Sequence, residues 1–345
     1  LAVGRHPERA ALHFRAARTA RRGDAYAAAV AHLDECEKLG GSGQDVQLER
    51  MLVLVQQGRI EPFERQLRQA VEADHPDAGL ILEALVYGSI SAVRFGAAFE
   101  ATEKLLEREP NNVLAWIWRG QIAVQVNAMP RALESYERAY ELAPDHPRTG
   151  HALAETLLLQ GRYRDAQALF DSLSRKHPLD ADLILRRVQC HRGLGEFENA
   201  LRALDSLPSS LTPAQQAQAC SLRGRIELAR EQFEAAERSL RKAVDLAPYD
   251  RAGMSAWADA LERLGKSADA AAARLRADKL EKDGKRLIAI SRQIDAQPRD
   301  TALRLEAAEI CQRLGRLTES RHWLETVLAI DAKNLDARKQ LQSLR

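Results

Sequence analysis

Aromatic residues are scarce in this chain, 5% of 345, and its apolar content is mainly alanine and leucine. Both enter helices at little entropic cost, so the composition argues against a sheet-rich fold. Cysteine is equally sparse. Cys36, Cys190, Cys220 and Cys311 are scattered and form no C-x-x-C pair. That excludes a disulfide framework and leaves them as small buried hydrophobes. A basic excess is missing too: the net charge is +2, which counts against a nucleic-acid binder. No run approaches the ~18–20 apolar residues a membrane helix requires, and no signal peptide is visible. Lysine is rare, 10 against 41 arginines, a skew that fits a high-GC bacterial genome. Leu1 stands where an initiating methionine is expected. The chain therefore reads as a trimmed or processed piece, of the bacterial cytoplasm or of the cell envelope according to what precedes Leu1.

Catalytic signatures are absent as well. There is no H-E-x-x-H, Walker motif, nucleotide fingerprint or G-x-S-x-G. "SLRK" at 239–242 matches S-x-x-K without companion motifs. "KLGGSGQD" at 38–45 has no G-K-[ST] after it and reads as a turn. His32 and Cys36 lie four apart on one helix, but zinc normally takes three or four ligands, so no metal site is assigned. Cys190 and His191 are adjacent and point in different directions. The sequence implies no enzyme and no cofactor.

What the chain has is repetition. "ELAPDHP" begins at Glu141 and "DLAPYDR" at Asp245, 104 residues later, close to three periods of about 34. The clearest unit is Val113–His146, with Trp116, Gly120, Ala132, Tyr136 and Pro144 at the positions of a helical-hairpin signature. In this it resembles the tetratricopeptide repeat, departing at Arg119 and Ala123. Units begin near Arg9, Gln44, Gly79, Val113, Pro147, Ala181, Ala217, Arg251 and Thr301. Gly23, Gly58, Gly161, Gly195, Gly265 and Gly315 mark the turns within hairpins. Ala28, Ala98, Ala132, Ala166, Ala200, Ala236, Ala270 and Ser320 open the second helices, with Phe63 the irregular member. Pro110, Pro144, Pro178 and Pro248 separate units, since proline cannot continue a helix. The expectation is an all-α, right-handed α-α superhelix of about nine hairpins, one solenoid over residues 1–345, with a capping helix near 335–345.

The register breaks twice. The last start-to-start interval is 50 residues, and the excess lies in a helix-rich segment at about 267–300. A continuous helix from about Ala268 to Gln297 is favoured over a break at Asp283-Gly284, since one interior glycine costs only ~1 kcal/mol against alanine. Leu280, Leu287 and Ile294 recur every seven residues as a contact seam or, more simply, as packing on neighbouring repeats. "LPSSLTPAQQAQ", residues 207–218, reads as a longer loop.

The resemblance implies a concave groove lined by first helices. Carried onto this sequence, it gives Trp118, Gln121, His151, Glu155, Arg186, Gln189, Arg192, Ser221 and Arg225. Arginine clamps carboxylates through two parallel hydrogen bonds, so Arg186, Arg192 and Arg225 suit an acidic peptide or a C-terminus. The plainer alternative pairs them with Glu155, Asp182 and Glu227. The Lys/Asn set by which chaperone-binding members hold a terminal Asp is not reproduced. Six arginines within residues 1–22, against Glu8 alone, suit either a solvated capping helix or an anionic partner. The implied function is a scaffold for protein or peptide segments. Its rivals are an accessory arm of a larger enzyme or membrane-anchored protein, and an RNA-binding helical repeat.

Overall fold

The structure is a computed structural model and describes residues 7–344, all helices and connections with no strand among them. The helices follow one another in chain order. First come α1 (Pro7–Arg22), which packs on α2 (Tyr26–Lys38), then α3 (Gly43–Gln56) and α4 (Glu64–Glu72), both packed on α5 (Ala78–Ser91), which packs in turn on α6 (Phe95–Arg108). Next come α7 (Val113–Gln125) and α8 (Met129–Leu142), then α9 (Pro147–Leu159) paired with α10 (Tyr163–Lys176) and α11 (Ala181–Gly193) paired with α12 (Phe197–Asp205). The last are α13 (Pro213–Ala229) with α14 (Phe233–Leu246), α15 (Arg251–Arg263) with α16 (Ser267–Ala296), and α17 (Thr301–Arg313) with α18 (Leu317–Ile330), followed by α19 (Leu335–Ser343). This is the all-α helical-repeat fold that the period implies.

Local chemistry sets the boundaries. α6, α8, α10 and α14 each end two residues before a proline, at Pro110, Pro144, Pro178 and Pro248. Side chains then start the next helix. Asp180 Oδ1 accepts from the Asp182 and Leu183 amides at 2.9 and 3.2 Å, and Asp300 does the same for Leu303 at 2.9 Å. Thr212 and Gln215 form a reciprocal capping box at α13, which ends the longer loop. The helix-opening alanines Ala98, Ala132, Ala166, Ala200, Ala236 and Ala270 are all fully buried.

The first hairpin differs from the expected register by one residue. Ala29, not Ala28, is its buried contact, and Asp24, not Gly23, takes the left-handed conformation at φ 60°. In "YAAAV" three consecutive alanines look alike to any pattern, and Asp tolerates the left-handed region.

The chain forms two compact units. Unit 1 holds the chain through Ile122 together with Ser291–Arg299; unit 2 holds Ala123–Ile290 and Asp300–Arg345. α16 runs unbroken through Asp283-Gly284, where an added Cβ would meet open space. Leu287 and Ile294 of its seven-residue stripe are buried and Leu280 half-buried, which is the packing alternative. Within unit 1, Asp295 at the end of α16 accepts the Gly96 amide at 2.9 Å and so caps α6. Its burial raises the carboxyl's pKa, partly offset by the Gly96 and Ala97 amides.

Unit 1 also contains a chain of charges. Arg18 Nη2 donates to Asp77 Oδ2 at 2.6 Å, and Arg22 Nη2 to Glu83 Oε1 at 2.6 Å. Arg21, fully buried, donates from Nε to Glu49, itself 1% exposed. Three of the N-terminal arginines are thus committed internally, Arg9 and Arg15 are exposed, and Arg5 lies outside the described residues. α5 approaches α3 closely at Gly88, where a Cβ would overlap the Val55 carbonyl oxygen and stand 2.9 Å from its carbon. Backbone cannot move aside as a side chain can. Gly88→Ala is therefore expected to destabilise unit 1 by about 1–3 kcal/mol, despite the better helix propensity of alanine. Hydrogen exchange of the α3 and α5 amides measures it.

Candidate functional site

Each side chain that the family pattern assigns to the groove has a defined setting. In unit 1, Trp118 is 8% exposed and belongs to the apolar cluster containing Leu85, Leu105 and Ala115; Gln121 is half-buried. Trp118 is accordingly a core residue. An indole on that position is large enough to reach the hydrophobic cluster, and burying it is worth more than presenting it.

The other seven lie in unit 2. Ser221 is 5% exposed and its hydroxyl donates to Asp250 Oδ2 at 2.9 Å, so it secures the start of α15. His151 is exposed and packs edge-on to the Phe170 ring, centroids 6.4 Å apart. Arg186 Nε lies 2.6 Å from Glu155 Oε1, which neutralises both. Gln189, on the same helix as Arg186, is half-buried.

Arg192 and Arg225 are different. Both are half-buried, and neither has an acidic partner or hydrogen-bond acceptor among the described residues. Burial lowers the Arg192 pKa from the ordinary arginine value, and the neighbouring Arg225 charge lowers it further. The Arg192 Nε is buried without a partner. The pairings that would have silenced these arginines are not made. Asp182 instead accepts from Gln215 Nε2 at 3.0 Å, and the Glu227 Oε2 is buried without a hydrogen bond. The ring of Tyr163 covers Gly193, next to Arg192: a Cβ there would collide with it. The two like charges oppose one another, and Arg192 is partly dehydrated.

Sequence reasoning missed Tyr163, which sits on a second helix, outside the first-helix positions that the family pattern counts. It also missed a cleft in unit 2 between the end of α8 and the start of α11, marked by a recurring "HP" at His146-Pro147 and His177-Pro178.

The cysteines and the remaining histidines have defined settings. Burial pushes the Cys190 and Cys311 thiols up to about 12 and raises Cys36 and Cys220 as well, away from the reactive thiolate. Cys36 is buried, while His32 Nδ1 turns to His13 Nδ1 at 3.1 Å, and no group of three metal-ligating side chains occurs among the described residues. His191 is buried against Glu196, Nδ1 to Oε2 2.7 Å. No described helix is long and apolar enough to cross a membrane.

Comparison with known proteins bears on the family. Profiles described as tetratricopeptide repeat match residues 123–183 and 157–225, 92–147, and 217–250. A cellulose synthase operon protein C of Pseudomonas fluorescens is 30% identical over 91 residues, 26% of this chain and 7% of that protein. Among solved structures, a tetratricopeptide repeat protein from Parabacteroides merdae is 17% identical, with a TM-score of 0.43 over 74% of this chain and 99% of its own. The Cut9–Hcn1 hetero-tetramer of APC/C aligns at 14% identity and a TM-score of 0.44, over 89% of this chain and 64% of that one. The profile matches follow one another without a gap over residues 92–250, and this stretch of the chain is built of tetratricopeptide repeats.

Proposed function

We propose that the chain is a non-catalytic scaffold that binds a protein or peptide segment on the first-helix face of unit 2, with an acidic group of that segment held by Arg192 and Arg225. Repeats of this family generally mediate protein–protein interaction, and the fold is typically a non-catalytic one. The observation that carries the specific reading is the partnerless, partly dehydrated pair Arg192 and Arg225. Arg186 is excluded from the leading role because Glu155 already holds it. A carboxylate arriving between the two guanidiniums replaces a repulsion by two charge-assisted hydrogen bonds, each worth about 1.5–3 kcal/mol.

The test is fluorescence anisotropy with labelled peptides ending in Asp or Glu, each compared with its neutral Asn or Gln counterpart, C-terminally amidated. Arg192→Glu/Arg225→Glu should weaken acidic-peptide binding at least about tenfold while helicity stays constant. Added salt should weaken the wild-type complex. Arg238→Glu, on the exposed side of α14, should leave it unchanged. Equal binding by the double variant, or no preference for the acidic peptides, would overturn the assignment.

A second reading makes these repeats an accessory arm of a larger polypeptide. It is favoured by the alignment with a small part of a much longer cellulose synthase operon protein.

A further inference from the structure

Unit 2 has a second feature that the arginine pair does not use. A cleft of about 420 Å³ opens between the end of α8, the start of α9, the outer face of α10 and the start of α11. That volume lies at the low end of the ~300–1,000 Å³ range of ligand sites, the size of one long side chain rather than a cofactor. Its wall is apolar, made by Tyr140, Leu169, Leu173 and Leu183. Gly150 lets α9 settle against Tyr140, since a Cβ there would stand 3.4 Å from the ring. Its rim is polar, and its formal charges among the described residues are acidic: Asp145, Asp180 and Asp182, interleaved with the imidazoles of His146, His151 and His177.

The state of the rim decides what the cleft can take. Asp180 is satisfied only by neutral donors, the Asp182 and Leu183 amides, and Asp182 only by the Gln215 side-chain amide. Neither carboxylate has an ion-pair partner among the described residues, although most of the acidic residues around them in unit 2, including Glu137, Asp165 and Asp171, do. His146 is spoken for as an acceptor, since its Nδ1 receives the Arg148 amide at 3.3 Å. An anion entering here would face Asp180 and Asp182, which have no cation beside them among the described residues, and a neutral apolar group would leave them without an ionic partner. A long cationic side chain satisfies both parts, its stem on the leucines and its charged head at the rim, as such chains do when they cover apolar surface. The guanidinium adds two things an ammonium lacks, a planar face for Tyr140 and a fork of donors for two neighbouring carboxylates.

We infer that this cleft is a receptor for an arginine side chain of a partner polypeptide, with Asp180 and Asp182 binding the guanidinium and Tyr140 with the leucines covering its stem. The site has the opposite charge preference to the Arg192–Arg225 pair and stands or falls independently of it.

The probe is N-acetyl-L-argininamide, with N-acetyl-L-citrullinamide as its uncharged isostere, titrated into the full chain. The readout is the Cε1–H resonances of His146, His151 and His177 in two-dimensional NMR, assigned with single His→Asn variants. The arginine derivative is expected to shift these three resonances saturably, and the citrulline derivative to shift them at least tenfold less at equal concentration. Asp180→Asn/Asp182→Asn should abolish the difference. Asparagine caps a helix as well as aspartate, so α11 keeps its start, and circular dichroism checks that it does. In the Arg192→Glu/Arg225→Glu protein the shifts should persist. Equal shifts from both probes, shifts confined to other histidines, no shift at all, or a full response in the folded Asp→Asn protein would each overturn the proposal.

Discussion

Glu49→Leu is expected to destabilise unit 1 by about 3–5 kcal/mol, among the largest effects of any single substitution in the chain. The carboxylate is 1% exposed and is the hydrogen-bond partner of Arg21, which is 0% exposed. Removing it leaves a guanidinium in the interior with nothing of opposite charge bonded to it. Arg18 makes matters worse, because its Nε lies 3.3 Å from the same Glu49 and is half-buried. The existing pair is not an efficient one, however. Both Nη atoms of Arg21 and the Oε2 of Glu49 are buried without hydrogen bonds. A pair that leaves so many polar atoms unsatisfied has repaid little of its desolvation. Arg21→Met/Glu49→Leu is therefore expected to recover most of the loss, because removing both charges removes the penalty itself. Amide exchange of α1, α3 and α5 in the two variants measures the difference. If the double variant were as unstable as Glu49→Leu, the cost would belong to lost packing and not to the stranded charge.

The same pair shows where the sequence stops being legible. Period, small residues and proline spacing are local signals, and they place the hairpins because each hairpin is built from local contacts. Ala132, Ala166, Ala200 and Pro144 could be placed by counting. Arg21 and Glu49 could not be matched, because they are 28 residues apart on different helices and each looks like an ordinary surface charge. For the same reason the groove positions separated only after neighbours were in place. Arg186 met Glu155, Ser221 met Asp250, and Trp118 went to the core, whereas Arg192 and Arg225 kept no acidic partner among the described residues. A family pattern says which positions face one another; it does not say which of them are already satisfied. The cleft was hidden more thoroughly still, since its lining comes from four helices and the turns between them.

Phe170→Ala is the other large effect expected, about 3–5 kcal/mol. The ring is 0% exposed in α10, fills the contact between α9 and α10, and carries His151 on its edge. Alanine removes most of that apolar surface and leaves a cavity that two helices already in close contact through Ala166 have little freedom to collapse. Because each hairpin is stabilised chiefly by its immediate neighbours, the loss should be graded. Within unit 2, amide protection should fall most in α9, α10 and α11 and least in α17 and α18. The graded pattern matters for function, since α9, α10 and α11 supply His151, Tyr163 and Arg192 as well as the cleft rim. Both proposed binding activities should weaken together in Phe170→Ala although Phe170 belongs to neither proposed site, whereas the charge variants separate them. A uniform loss of protection over all of unit 2 would mean that it unfolds as one cooperative body, and that its binding surfaces cannot be tuned hairpin by hairpin.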